Sequence, residues 1–216
     1  IMHERDFEPI SVRKLAGRTR AYIKVQDGCS QYCSYCIIPY ARGPIRSRDE
    51  EDILKEVKNL ALNGFKEVVL TGIHVASYGK DNHKTDLLSL IKRVNEIDGI
   101  ERIRLSSVEP NIVTEEFARD LSQMPKVCNH FHLSLQSGCD KTLKAMNRRY
   151  TTEKYMDSVN ILRKYMPDCG ITTDIIVGFP GETEEDFVQS CDFAKKVNFS
   201  KIHVFPYSPK KGTPAA

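Results

Sequence analysis

Residues 25–48 read VQDGCSQYCSYCIIPYARGPIRSR, and this stretch decides how the rest of the chain is read. The run Tyr22-Ile23-Lys24-Val25 alternates as a β-strand does and leads into Gly28 and three cysteines, Cys29, Cys33 and Cys36. A C-x3-C-x2-C loop after a strand can hold three corners of an iron–sulfur cube, because thiolate is the soft ligand such clusters take. One iron would keep an open position, where a substrate can be activated. A disulfide framework is not expected, since the seven cysteines are odd in number and the chain shows no secretory segment. Zinc stays open as an alternative. A closed zinc site wants four ligands, however, and no fourth Cys or His lies at finger-like spacing; His74 would serve only if the fold brought it near. A ferredoxin-type cluster would add a fourth cysteine.

Outward from the loop the chain repeats one unit, strand then loop then helix. Ile53, Leu54, Val57, Leu60 and Ala61 recur at helical spacing, with Ser47 and Glu50 as an expected capping box and Gly64 as the stop. Val68 to Leu70 is a second strand. Leu87, Leu88, Ile91 and Val94 mark a second helix closed near Gly99, and Ile103 to Leu105 a third strand. Phe117, Ala118 and Leu121 form a third helix capped by Thr114. Phe131, Leu133 and Leu135 alternate as a fourth strand. A helix over about Asp140 to Met146 follows, then helical spacing at Tyr155, Val159, Leu162 and Met166. Ile171 to Val177 is the fifth strand. Thr183 and Asp186 open a helix expected to bury Phe187, Cys191 and Ala194, and Ile202, Val204 and Phe205 make the sixth strand.

Six such units imply an α/β fold with a parallel sheet covered by helices and right-handed crossovers. Eight would close a barrel; six leave either a partial barrel or a doubly wound sheet. In both, a ligand sits at the carboxyl ends of the strands.

The length, 216 residues, suffices for one sizeable domain, and no apolar run is long enough to span a bilayer. A net charge of +3 is too mild to indicate nucleic acid by itself. Free cysteines without an export signal point to a reducing cytoplasm. Residues 1–19 read as a polar linker or edge segment with a loose cluster of Arg13, Lys14, Arg18 and, just beyond, Arg20; residues 20–216 read as the core domain. With Ile1 at one end and a polar turn after a strand at the other, the chain is expected to be the core of a longer protein.

Tyr35, just before Cys36, completes C-x3-C-x-aromatic-C, the signature of the radical S-adenosylmethionine (radical SAM) superfamily. The loop CSQYCSYCIIPYARGPIRSR resembles that of the methylthiotransferases. The likeness continues through TGIHVASYG, RLSSVEP, HLSLQSGCD, MNRRYT, IIVGFPGET and FPYSPKKGTPAA. Within that branch, TGIHVASYG and SSVEP are most similar to the enzymes that methylthiolate N6-threonylcarbamoyladenosine in tRNA. The resemblance favours a partial (β/α)6 TIM-type barrel. It implies a [4Fe–4S] cluster on Cys29, Cys33 and Cys36, with S-adenosylmethionine chelating the open iron. Reductive cleavage would yield a 5′-deoxyadenosyl radical that abstracts hydrogen from an adenine of tRNA.

The resemblance also places the candidate cofactor-binding residues at the strand ends. Tyr35 sits within the signature. Gly72 and Ile73 follow the second strand and would offer backbone carbonyls to the ligand's amino group. Ser106 and Glu109 follow the third, where a carboxylate can meet an ammonium or a ribose hydroxyl. Ser134 and Gln136 follow the fourth and can hydrogen-bond a ribose. Of Arg148 and Arg149, either can pair with a carboxylate, and the family motif selects Arg149 for the methionine carboxylate. Val177 would flank adenine, and Phe205 would present backbone groups to its edge.

Expected partners are tRNA, met by a basic rim including Arg42, Arg46 and Arg48, and an electron donor such as flavodoxin or ferredoxin; a membrane is not expected. Family members carry a second cluster domain and an RNA-binding module that this chain lacks, so the isolated core is expected to be incomplete for turnover. Alternatives are another target (isopentenyladenosine in tRNA or a ribosomal protein aspartate), a non-catalytic metal-stabilised binding module, or a plain electron-transfer protein. Anaerobic reconstitution with iron and sulfide checks the ligand set: replacing Cys29, Cys33 and Cys36 together by Ala should abolish iron retention and the charge-transfer absorbance.

Overall fold

The structure, a computed structural model, describes residues 19–216. Of the expected linker, residues 1–19, all but Thr19 lies outside the described residues, Arg13, Lys14 and Arg18 included. In chain order the elements are β1 (Arg20–Asp27), α1 (Ile38–Arg42), β2 (Arg46–Ser47), α2 (Glu50–Leu62), β3 (Glu67–Gly72), α3 (Leu87–Asn95), β4 (Arg102–Leu105), α4 (Glu115–Ser122), β5 (His130–His132), α5 (Asp140–Ala145), α6 (Thr152–Tyr165), β6 (Gly170–Val177), α7 (Glu184–Val197) and β7 (Lys201–Pro206). All six expected strands are present, and the capping position Thr114 accepts the Phe117 N–H at 3.1 Å. The loop strand β2 and the short α1 went unforeseen, because neither carries a periodic apolar pattern.

The chain forms two compact units. In the first (residues up to 30, 41–107 and 119–128) the sheet order is β2-β1-β3-β4. β1, β3 and β4 are parallel, with Ile23 opposite Leu70 and Leu70 opposite Leu105, while β2 adds antiparallel to β1. Ile23, Val25, Val68, Leu70 and Ile103 are fully or nearly fully buried, as continuous apolar runs of a parallel sheet should be. α2 buries Ile53, Leu54, Val57 and Leu60; each such side chain contributes about 1.5–3 kcal/mol on leaving water. Its cap differs from the expected one. Asp49, not Ser47, accepts the N–H groups of Glu51 and Asp52 at 3.0 and 3.3 Å. Ser47 lies in β2, where its hydroxyl accepts the Gly79 N–H at 2.7 Å and donates to Asp81.

In the second unit (residues 31–40, 108–118 and 129–216) the order is β5-β6-β7, all parallel. The β5 ladder is short, yet the chain continues alongside β6. The Thr173 hydroxyl donates to Leu133 O at 2.7 Å and accepts the Leu135 N–H at 2.9 Å, and Gln136 pairs with Ile175. On α6, buried Tyr155 donates to Leu133 O at 2.7 Å and meets Phe193 and Phe199 edge-on.

The expected stripe on α7 needs correcting. Phe187 is 39% exposed, and Phe187, Cys191 and Ala194 line an open apolar groove of about 480 Å³ beside β7. The residues α7 buries are Asp186, Ser190 and Val197. The spacing of the stripe is helical, but β7 is an edge strand with Val204 and Phe205 exposed, so nothing among the described residues closes over the groove.

The capping box at α7 is present as expected, with Thr183 and Asp186 accepting each other's N–H groups at 3.0 and 3.3 Å. The Lys141 ammonium, 2.6 Å away, and then the Thr183 N–H hold the Asp186 carboxyl down to about 2 from its ordinary 3.8. A depressed folded-state value contributes stability above about pH 4 that is lost as pH falls toward 2. Urea unfolding of Asp186→Asn should therefore show a flatter dependence on pH between 4 and 2 than the parent chain.

Candidate functional site

The first unit sets the entry to the cysteine loop. At the end of β1, Asp27 accepts the Gly28 N–H at 2.8 Å through one carboxylate oxygen, while the other meets Lys24 at 2.6 Å and Arg46 at 3.2 Å. Burial works against this carboxylate, and the Lys24, Gly28 and Arg46 contacts outweigh it, holding its pKa below the usual range. Gly28 has φ +70°, and a Cβ there would lie 1.8 Å from Pro44 O, so only glycine fits this corner. The Cys29 N–H then donates to Gly43 O at 3.0 Å.

Gln26, fully buried, is a residue sequence reasoning missed. Its amide donates to the carbonyls of Asp27 and Gly28 at 2.6 and 2.7 Å and accepts the His74 N–H at 2.8 Å. The same side chain occupies the space beside Gly72, where a Cβ would stand 2.8 Å from its Oε1. The close approach that Gly72 permits is therefore to Gln26. Ile73 is 39% exposed. Beyond β4, the Ser106 N–H donates to Leu70 O at 3.0 Å, and its buried hydroxyl has no hydrogen-bond partner among the described residues.

The second unit holds Cys33, Tyr35 and Cys36. The end of α5 and the turn after it anchor this part of the loop: Ser34 donates to Ala145 O and Met146 O at 2.8 and 3.0 Å, and the Asn147 amide donates to Tyr32 O at 2.8 Å. Asn147 is left-handed, φ 56°, and the next residue turns inward. The Arg148 guanidinium donates to Glu109 Oε1 at 2.8 Å, to the Tyr150 hydroxyl at 2.9 Å and to Cys33 Sγ at 3.2 Å. Its side chain is 7% exposed and that of Glu109 10%. Burial alone would lower its pKa; Tyr150, Tyr35, Cys33 and Glu109 outweigh that and hold it firmly charged. Tyr150 in turn donates toward the carbonyls of Ser134 and Leu135, each at 2.9 Å. Burial, foremost, pushes the Tyr35 hydroxyl and the Cys36 thiol above their ordinary values.

Glu109, Cys33, Tyr35 and the Ser134 carbonyl thus come together around Arg148, a residue the sequence reading passed over in favour of its neighbour. Arg149 is exposed, and what the structure records for it is a backbone carbonyl accepting from Asn111 at 3.3 Å. Gln136 has φ 71°, its N–H donating to Asp174 O and its carbonyl accepting from Ile176. Val177 O accepts the Tyr207 N–H at 2.8 Å, and Phe205 is 50% exposed. Phe179, also missed, stands edge-on to both Tyr35 and Tyr207, with ring centroids 6.2 and 5.3 Å apart.

These donors fit a soft cluster and an amphiphilic nucleotide. In the second unit Cys33 and Cys36 are soft donors near the Arg148 guanidinium; in the first unit the buried Ser106 hydroxyl is a polar group without a hydrogen-bond partner among the described residues. Among the described residues no three His, Cys, Asp or Glu side chains are already gathered as a metal site, so the three-thiol set rests on its spacing in the loop. No helix among the described residues is long and apolar enough to cross a membrane.

Comparison with known proteins agrees with this architecture. Residues 23–194 match the Radical SAM superfamily, and the chain belongs to it. It is similar to the threonylcarbamoyladenosine tRNA methylthiotransferase MtaB of Bacillus subtilis (strain 168), 45% identical over all of this chain and 48% of that protein. It is also similar to the tRNA-2-methylthio-N(6)-dimethylallyladenosine synthase of Clostridium tetani (strain Massachusetts / E88), 47% identical over 91% of this chain and 44% of that protein. The chain spans about half the length of the curated relatives it matches.

Among solved structures, the radical S-adenosylmethionine methyltransferase TsrM from Kitasatospora setae, with cobalamin and a [4Fe–4S] cluster bound, superposes with TM-score 0.74. The match has 19% identity over 90% of this chain and 38% of that one. Methylornithine synthase (PylB) superposes with TM-score 0.62 and 17% identity, covering 90% of this chain and 55% of that one. The fold class is the partial TIM-type α/β barrel expected from the sequence.

Removing the buried cation takes the guanidinium partner from Glu109. Arg148→Met should cost about 3–5 kcal/mol in denaturant unfolding, and Arg148→Met with Glu109→Leu should recover most of it, since breaking a buried pair costs more than replacing both partners.

Proposed function

We propose that this chain is the radical SAM core of a tRNA methylthiotransferase acting on N6-threonylcarbamoyladenosine. The observation that carries the reading is the C-x3-C-x2-C loop, its Cys33 sulfur set against the buried Arg148–Glu109 pair, in a chain 45% identical from end to end to a threonylcarbamoyladenosine tRNA methylthiotransferase. Cys29, Cys33 and Cys36 hold a [4Fe–4S] cluster, and S-adenosylmethionine is the second cofactor. When bound, the cluster supplies the electron that splits the sulfonium and so provides a radical for attack on an unreactive carbon.

The chain's own residues bind, orient and shield. Arg148 donates to the Cys33 sulfur and so orients it within the loop. Glu109 fixes that guanidinium in place. Tyr35, Phe179 and Tyr207 form an aromatic wall that keeps water from a nucleotide, and Phe205 continues it on β7; the Val177 side chain lines the groove beside α7, so its share beside adenine is backbone. Gly72 and Ile73 offer backbone carbonyls to the amino group, Ser106 its unpaired hydroxyl, and Ser134 and Gln136 the ribose contacts. Arg149, with an exposed side chain, receives the carboxylate. Exclusion of solvent and orientation are the protein's share when a cofactor carries the hard chemistry.

Modification of the RNA by this span alone is not expected. The remaining half of the relatives' length, a low-potential electron donor such as flavodoxin or ferredoxin, and tRNA itself complete the reaction. Methylthiolation of a dimethylallyladenosine is the second reading, favoured by the 47% identity to the Clostridium tetani synthase.

The test is electron paramagnetic resonance of the reconstituted, reduced protein with and without S-adenosylmethionine, followed by assay for 5′-deoxyadenosine. A cluster signal that shifts with S-adenosylmethionine, slow 5′-deoxyadenosine formation and unmodified tRNA are expected. A signal indifferent to S-adenosylmethionine, or retention of zinc in place of iron, overturns the core assignment; robust methylthiolation by the chain alone overturns its incompleteness.

A further inference from the structure

One face of the β5-β6-β7 sheet carries a row of polar, titratable side chains that the site described above does not use. His132 on β5 reaches β6 twice. Its Nδ1 lies 3.0 Å from the Thr172 hydroxyl, and its Nε2 lies 3.2 Å from Asp174 Oδ2. On β7, His203 stands opposite Asp174 in register, and its ring centroid is 6.1 Å from that of His132. His130, two residues before His132, also reaches the Thr172 hydroxyl, at 3.2 Å. These contacts place all of them on one face.

The opposite face belongs to α7, where Ile175, Val177, Ile202 and Val204 line the groove with Phe187 and Cys191. Packing of helix on sheet is thus complete without the polar row. At Asp174, on the central strand β6, folding alone would place valine or isoleucine, because polar groups are costly to bury. His132 and Asp174 are nevertheless 17% and 30% exposed. Both His132 ring nitrogens thus have neighbours on β6, while the exposed His203 and the part-exposed Asp174 stand open to a partner that brings its own donor or acceptor.

The position of the row indicates which partner. Side chains two apart on a strand share a face, and each residue advances about 3.3 Å. Ser134 follows His132 by two, and Phe205 follows His203 by two. The row therefore lies roughly 7 Å along the strands from the residues assigned to the cofactor nucleoside. That distance suits the far end of a substituent on a substrate base whose reacting carbon sits against the cofactor.

The two kinds of relative differ in that substituent. Threonylcarbamoyl carries a carboxylate, a hydroxyl and ureido N–H groups; dimethylallyl carries only carbon. The exposed His203 imidazole can donate to the carboxylate or the ureido oxygen, and Asp174, steadied by His132, can accept from the hydroxyl or an N–H. A hydrocarbon chain on the same surface would desolvate three polar groups and pair none, which is the stronger form of discrimination.

We propose that His132, Asp174 and His203 form the subsite for the polar, carboxylate-bearing N6 substituent of the adenine, and so select it over an apolar one. This inference rests on the methylthiotransferase reading and specifies its substrate class.

Full-length protein carrying this sequence, cluster-loaded, is titrated with three anticodon stem-loop RNAs bearing threonylcarbamoyladenosine, dimethylallyladenosine or unmodified adenosine. The parent protein should bind the first most tightly. His203→Ala, on an exposed strand position, and Asp174→Asn should each weaken that complex about five- to tenfold, as loss of a charge-assisted hydrogen bond does, and change the other two less than twofold. If the parent protein binds all three alike, the target reading fails and this subsite with it. If the parent protein discriminates and both variants discriminate equally well, only the subsite is overturned. Equal weakening toward all three RNAs also overturns it, since the residues would then act on the fold or on phosphate.

Discussion

A buried guanidinium organises the candidate site. Arg148 meets a carboxylate, a phenol and a thiol at once, and each of these groups comes from a different part of the chain: Glu109 from the loop after β4, Tyr150 from the turn before α6, Cys33 from the cysteine loop. A cation in so dry a place is tolerable only when its donors are all occupied and its charge is balanced. Those demands tie the three segments to one another. The neighbouring turn adds to this, since Asn147 and the α5 end hold residues 32–34 through three further hydrogen bonds, and the Ala215 N–H donates to Ser34 O as a fourth. A loop carrying reactive thiols is in this way fixed from behind, not left to solvent.

The other end of the same loop is held by steric exclusion in place of charge. Gly28 in a left-handed conformation brings the backbone against Pro44, and Asp27 secures the corner by accepting its N–H. Gln26 sits beneath and links this corner to the segment after β3. Its side chain is the hub of three backbone contacts and joins the start of the loop to the His74 turn.

The two faces of the β5-β6-β7 sheet differ: the helix-facing side is apolar, while the other carries His132, Asp174 and His203. The groove beside β7 stands apart from this arrangement, being apolar and lined by α7.

The cysteine spacing, the aromatic at Tyr35 and the periodicities of the strands and helices were legible in the sequence, because each depends on residues close together in the chain. A strand or an amphipathic helix announces itself within a dozen residues, and so does a three-thiol loop. The cap on α2 was misread by two positions, since Ser47 and Asp49 are both good caps and only the pairing of β2 with β1 removes Ser47 from contention. The open face of α7 was misread because helical spacing reports which residues share a side, not whether anything covers it. Which of Arg148 and Arg149 would be buried lay beyond the sequence altogether. Adjacent residues in a turn point in different directions, and burial of one of them was decided by Glu109 and Cys33, 39 and 115 residues away. Chemistry that depends on local spacing is written in the chain; the partners that charge, shield and orient it are set only when distant segments pack, because burial and pairing are properties of the folded neighbourhood.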